Sequence, residues 1–191
     1  MTGKPLLVML AGPNGAGKST FYETYLSRLG LPFLNADVLA AKTGMDAYEA
    51  AGEIAEARRV LVERGTGFVT ETVFSDPVGA KVEFLADAAA EGFDVHLIYI
   101  GISDAGMSAG RVADRVRTGG HDVPLEKIMA RYDRTLANLK RAIGRLPRVS
   151  IYDNSRFEDP YRLVAEFRSG KLQQGTGDEL PEWCREAMEG F

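Results

Sequence analysis

The chain holds one cysteine, Cys184, and two histidines, His96 and His121, among its 191 residues. A lone thiol cannot close a disulfide within the chain or build a multi-cysteine zinc site, and it fits a reducing compartment. Cys184 therefore reads as a packing residue. A surplus of positive charge is missing too, since 23 Lys and Arg stand against 27 Asp and Glu for a formal net charge of −4. Such a chain has no diffuse field to hold a polyanionic backbone, so nucleic acid is not expected as its main partner and any phosphate binding must be local. Long apolar runs are absent as well. The opening stretch carries one lysine and a short apolar run, which Gly12 and Pro13 end far below the length of a signal or spanning segment. No membrane contact, a cytoplasmic location and a monomer or weak dimer are expected. With 45% hydrophobic residues, the chain is sized for one domain over residues 1–191.

What is present alternates. Residues 6–10 are uniformly apolar and run into a glycine-rich turn, as a strand buried on both faces of a parallel sheet does. A helix is expected over 18–29, a short strand over 31–37 ending at Asp37, and a helix over 46–64, where Ile54, Val60 and Leu61 share a face. Residues 68–71 read as a strand ending at Glu71, and Pro77 opens a helix that Gly92 ends. Residues 93–100 are the strongest strand by composition, and Ser103 is placed to cap the helix after it. A Gly119-Gly120 break, a helix over 124–143, a strand over 148–152 and a short helix over 160–168 follow. His96 falls inside a strand and reads as a structural, hydrogen-bonded residue. Residues 170–191 read as a C-terminal tail, with residues 173–177 as a mobile linker before a segment anchored by Trp183. This order selects an α/β fold, a three-layer P-loop NTPase architecture with a mostly parallel five-stranded sheet and a helical lid over about residues 111–131. Sites in such sheets lie at the carboxyl ends of the strands.

Residues 12–19, Gly-Pro-Asn-Gly-Ala-Gly-Lys-Ser, fit the pattern G-x-x-x-x-G-K-[ST]. Gly12, Pro13, Asn14, Gly15, Ala16 and Gly17 can aim backbone N–H groups at a triphosphate, and Lys18 would reach its β and γ phosphates. Ser19 would bind Mg²⁺, and Thr20 follows in the helix whose N-terminus adds partial positive charge. The expected cofactors are ATP and Mg²⁺. An ABC-type ATPase is excluded because neither a Leu-Ser-Gly-Gly-Gln signature nor an apolar strand ending in Asp-Glu occurs. A GTPase is excluded because no Asn-Lys-x-Asp occurs.

A kinase needs two further parts: a base for the acceptor hydroxyl and cations over the transferred group. Asp37, in Asn35-Ala36-Asp37, is placed to be the base, or else to cap the next helix. Glu71, in Thr70-Glu71-Thr72, could bind substrate or organise metal-bound water. Arg111 and Arg115 share a helical face at i,i+4 spacing beside the Gly-Gly hinge, which fits a closing lid.

Taken together, the phosphate loop, Asn35-Ala36-Asp37, Thr70-Glu71-Thr72, the Arg115 to Pro124 segment with its Gly-Gly-His-Asp-Val-Pro, and Arg131-Tyr132-Asp133-Arg134 resemble the zeta toxin family of P-loop kinases. The resemblance spans about residues 6–155. It implies ATP-dependent phosphorylation of a sugar hydroxyl in a nucleotide sugar, UDP-N-acetylglucosamine in the best-known cases. By the same resemblance Asp37 is the general base, Lys18 and Arg115 act on the phosphates, Glu71 and Thr72 stand at the substrate side, and Asn154 borders the adenine. Two positions depart from the family. His121 stands about where a second phosphate-stabilising arginine is usual, which leaves Arg117 or Arg131 for that role and puts His121 against the substrate. Val73 replaces a threonine often used for substrate. An antitoxin protein enters as a candidate partner. The competing expectations are a kinase for another hydroxyl acceptor, such as an antibiotic, sugar acid or nucleoside, and an ATPase switch with no small-molecule acceptor.

Overall fold

The computed structural model describes residues 3–117, 123–176 and 180–191. Strand β1 (Leu6–Ala11) leads into the phosphate loop, and α1 (Lys18–Phe21) continues as a π-helical turn over Tyr22–Leu26 and a 3₁₀ turn over Ser27–Leu29. The expected helix over 18–29 is thus one helical rod with a wide middle. Then come β2 (Phe33–Leu34), α2 (Ala36–Thr43), α3 (Ala47–Glu63), β3 (Phe68–Thr72), α4 (Ala80–Ala90) and β4 (Asp94–Gly101). Helices α5 (Ala105–Arg117) and α6 (Leu125–Arg145) precede β5 (Arg148–Asp153), β6 (Arg162–Arg168), β7 (Lys171–Gly175) and α7 (Glu182–Met188).

The sheet has seven strands in the order β2-β3-β1-β4-β5-β6-β7. The first five are parallel, as the alternating pattern requires, whereas β6 and β7 join antiparallel. Two expectations are corrected here. Residues 162–168 form a strand where a helix was expected, and residues 171–175 form a strand where a linker was expected. The signal is the pair Ser169-Gly170, with φ of 46° and 74°. Two successive positive φ values are what a two-residue hairpin turn needs, because its twist matches that of the flanking strands. Buried Val164, Ala165 and Phe167 then hold β6 to the core.

Period-2 alternation divides the core. Leu7, Met9, Val95, Leu97 and Tyr99 face α4, α6 and α7, with Trp183 packed against them. Val8, Leu10, Ile98 and Ile100 face the other way, toward Phe21 of α1 and Ala105 of α5. The result is the three-layer arrangement with helices on both faces. Cys184 is fully buried, its thiol pushed up to about 12 by burial, so it stays a neutral packing group. His96 is hydrogen-bonded at 2.8 Å to Ser150 of β5. Burial, with Arg148 and Arg168 nearby, lowers its pKa to about 3. Among the described residues no helix is long and apolar enough to cross a membrane.

Candidate active site

The phosphate loop sits at the carboxyl end of β1, the central strand, and its shape is fixed by contacts with distant chain. Gly12 has φ +139°, and a Cβ there would lie 2.1 Å from the carbonyl oxygen of Ile100 in β4. Gly17 has φ +88°, and a Cβ would lie 2.7 Å from both Asn154 Nδ2 and Tyr161 Oη. Neither site accepts a side chain.

Three outside groups hold the loop's carbonyls. Ser108 Oγ donates to Asn14 O at 2.6 Å, Asn154 Nδ2 to Ala16 O at 2.9 Å, and Tyr161 Oη to Gly17 O at 2.9 Å. Arg111 closes the ring, donating to Asn154 O at 2.8 Å and to Gly15 O at 3.4 Å. With these carbonyls tied back, the loop's N–H groups are left to face a ligand. Lys18 begins α1 and is 6% exposed. Its ammonium donates to Gly12 O at 3.1 Å and Pro13 O at 2.9 Å, and lies 3.9 Å from Glu71 Oε1.

Tyr161 and Arg111 were not singled out as loop supports by the sequence. Tyr161 has φ +58°, a conformation of order 1–3 kcal/mol unfavourable for a non-glycine residue. It persists because the ring is wedged against Phe21 and Tyr25, at 5.2 and 6.0 Å between centroids. An aromatic with positive φ just before a strand has no local sequence signature.

Asp37 does not close a strand: β2 is only Phe33–Leu34, and Asp37 lies in the first turn of α2. The cap is Asn35, whose Oδ1 accepts from Asp37 N at 2.8 Å and Val38 N at 3.2 Å, so the Asp37 carboxylate is not used as the cap. Asn35 has a second bond, Nδ2 to Glu71 Oε2 at 2.8 Å, and that same oxygen accepts from Ser19 Oγ at 2.9 Å. Glu71 therefore ties the ends of β2 and β3 to the first turn of α1. Behind it, Arg58 of α3 donates to Thr70 Oγ1 at 2.8 Å and Glu71 O at 3.1 Å, its guanidinium lowered to about 10 by burial. Similarly, the cap of α5 is Asp104, which accepts from Met107 N at 2.8 Å, while Ser103 Oγ is bonded to the side chains of Asp104 at 2.9 Å and Met107 at 3.8 Å and caps no backbone N–H.

Lys18, Asp37, Glu71, Thr72 and Arg131 line one cavity of about 670 Å³, together with Asn14, Tyr48, Lys81 and Lys127. Thr72 Oγ1 accepts from Phe74 N at 3.2 Å, and Phe74 has φ +66°. Asn138 of α6, 1% exposed, stabilises that strained turn, since its Nδ2 donates to Phe74 O at 2.9 Å and Asp76 O at 2.8 Å. Tyr132 pins α6 to the end of β4 by donating to Ile102 O at 2.7 Å. Arg117 is not brought to the cavity; it pairs with Asp114 at 2.9 Å on the exposed face of α5. Arg115 belongs to α5, but its side chain lies outside the described residues, as do His121 and the Gly119-Gly120 hinge. A second cavity, of about 800 Å³, lies between Asp104, Asp153, Arg162 and Trp183 and contains none of the expected site residues. There Trp183 Nε1 donates to Asp153 Oδ1 at 3.0 Å, and Arg162 lies 3.9 Å from Asp153 Oδ2.

No group of three or more His, Cys, Asp or Glu side chains able to cage a metal occurs among the described residues. A hydroxyl and a carboxylate 2.9 Å apart, Ser19 and Glu71, do suit a hard cation that takes its remaining oxygens from phosphate and water.

The parallel sheet and the braced loop define a P-loop NTPase fold. Residues 7–137 match the AAA domain family AAA_33, and the chain belongs to it. A protein of Haemophilus influenzae (strain Rd) is 26% identical over 131 residues, 65% of this chain and 91% of its own. A structure of the PezAT chromosomal toxin–antitoxin system of Streptococcus pneumoniae matches with TM-score 0.62 at 18% identity, covering 95% of this chain and 78% of that one. The AvrRxo1-ORF1:AvrRxo1-ORF2 complex with sulphate ions, also solved with ATP, matches with TM-score 0.64 at 18% identity over 92% of this chain and 62% of that one. The fold is thus a P-loop NTPase fold shared with these structures.

Proposed function

We propose that the protein is a zeta-toxin-like, ATP-dependent kinase that transfers the γ-phosphoryl group of ATP to a hydroxyl of a nucleotide sugar such as UDP-N-acetylglucosamine. The observation that carries this reading is the sharing of one cavity by Lys18 of the phosphate loop, the carboxylates of Asp37 and Glu71, and Arg131. A hydrolase shares the loop, the cations and a group that positions the attacking water; a transferase adds room and contacts for a second substrate beside its base, which this cavity offers. Exposed Tyr48 on the cavity wall offers a flat ring on which a nucleobase can stack.

In this reading the acceptor oxygen bonds to the γ-phosphorus while the bond from that phosphorus to the ADP oxygen breaks, and the hydroxyl proton passes to Asp37. Lys18, Arg115 and Arg131 neutralise the charge that develops on the phosphoryl oxygens, with Arg117 as the alternative to Arg131. Residues 12–20 and Asn154 hold the nucleotide, while Glu71, Thr72 and His121 serve the acceptor. Ser19 would hold Mg²⁺ with Glu71 beside it, and the ion would supply charge neutralisation between the phosphates. The toxin–antitoxin setting of the PezAT relative supports an antitoxin as partner.

The test is ADP release from ATP with and without UDP-N-acetylglucosamine. Release should depend on the acceptor, and Asp37→Asn should lower it by about 10²–10⁴-fold while ATP still binds. Release that ignores both the acceptor and Asp37→Asn would instead identify a hydrolase or switch.

A further inference from the structure

Among the described residues five cations line the cavity, Lys18, Arg58, Lys81, Lys127 and Arg131, against three carboxylates, Asp37, Asp46 and Glu71. This excess stands in a chain whose net charge is −4. Most of these groups have work elsewhere. Glu71 accepts from Ser19 and Asn35, Asp46 caps α3 by accepting from Tyr48 N and Glu49 N, and Arg58 braces Thr70 and the Glu71 carbonyl. Lys18 belongs to the phosphate loop. With Arg131 given to the phosphoryl group in the proposed reaction, Lys81 and Lys127 remain.

Lys81 is set against its own surroundings. It is the second residue of α4, where the helix dipole disfavours a cation by about 0.3–1 kcal/mol. Its side chain is only 29% exposed. Burial draws the ammonium below the ordinary lysine range, Asp76 opposes that, and the Arg58 guanidinium adds to it. Asp76, 3.7 Å away, is a shared partner: its carboxylate also accepts from Ala80 N at the head of α4 and lies 3.5 Å from Asn138 Nδ2. An incoming anion would offset the burial and helix-end penalties by direct attraction, against some repulsion from Asp76.

We propose that Lys81, together with Lys127 from α6, reads a negative charge on the acceptor, so that the acceptor is an anionic hydroxyl compound, a phosphate ester or a carboxylate. This rests on the kinase reaction above and names the residues that would recognise the charge its nucleotide-sugar acceptor carries; among the competing acceptors it sets aside cationic antibiotics and uncharged nucleosides. Lys81 is then a specificity-determining residue, encoded on a helix that no phosphate-loop pattern points to.

The test offers the full chain, with ATP, acceptors matched except for charge: N-acetylglucosamine against UDP-N-acetylglucosamine, uridine against UMP, and glucose against gluconate and glucose 6-phosphate. Acceptor-dependent ADP release is measured, and calorimetry measures binding of each compound to protein loaded with a non-hydrolysable ATP analogue. In at least one set the charged member should bind and react better than its neutral partner. Lys81→Met should weaken that member by on the order of 10- to 100-fold without moving the neutral one, and Lys81→Arg should restore part of the difference. The gluconate and glucose 6-phosphate arms separate carboxylate from phosphate. If no compound stimulates ADP release, the kinase reading fails, and calorimetry alone decides the role of Lys81. Charged compounds that bind no better than neutral ones in every set, or a Lys81→Met effect equal on both members, would overturn the proposal. A melting curve checks that the variant is folded.

Discussion

The two halves of the cavity are built on different principles. On the donor side, Ser108, Arg111, Asn154 and Tyr161 hold the carbonyls of the phosphate loop from three separate stretches of chain, and two glycines leave no room for a methyl group. The acceptor side is held at fewer points. Asn35 and Arg58 fix Glu71, Asn138 fixes the turn after β3, and the remaining wall mixes small residues such as Ala47 and Ala51 with long side chains, among them Lys81, Lys127 and exposed Tyr48. The loop meets the same triphosphate in every cycle, so a rigid cradle suits it; on the proposed kinase reading the opposite wall meets the acceptor, and there small sequence changes can retune specificity.

The sharpest way to break the contrast is Gly12→Ala. Its methyl group would meet a backbone oxygen of β4 in a backbone conformation that L residues avoid, so a loss of about 2–6 kcal/mol of stability is expected. Urea unfolding measures that loss, and ATP affinity should fall with it. On the other side, Asn138→Ala strands the carbonyls of Phe74 and Asp76 and should cost about 1–3 kcal/mol. Its kinetic mark should be a raised acceptor KM with the ATP KM little changed; equal movement of both would mean that the two sides are not separable. At neutral pH the smallest effect belongs to the framework both halves share. His96 has a folded-state pKa of about 3, below its unfolded value near 6.5. The stability from keeping it neutral is therefore complete above pH 6.5 and is lost as pH falls from there toward 3, at up to about 1.4 kcal/mol per pH unit. Urea midpoints measured across that window should slope for the native chain and flatten for His96→Gln.

The contrast also explains what the sequence made legible. The phosphate loop is contiguous, so residues 12–19 could be read directly, and the five parallel strands followed from composition and order. Its supports could not be read in that way: Arg111 and Asn154 reach the loop across most of the chain, and the Ser19–Glu71 bond joins residues 52 positions apart. Asp37 lines the cavity from the first turn of a helix and not from the end of a strand, because Asn35 took the capping role. The β6–β7 hairpin was hidden because Pro160 suggested a helix start and outweighed Ser169-Gly170. Lys81 and Arg58 sit in ordinary amphipathic helices, where pattern alone does not separate a cation turned into a cavity from one turned to solvent.

Trp183 is the one indole in the chain. It is 8% exposed, lies over Gly101 so closely that no Cβ would fit there, and donates to Asp153, the neighbour of the Asn154 that grips the phosphate loop. The protein thus carries its own optical gauge. Excited beyond the absorption of the seven tyrosines, this single indole emits from the joint between β4, β5 and α7, and a rearrangement that nucleotide binding sends through Asn154 should register there without a label.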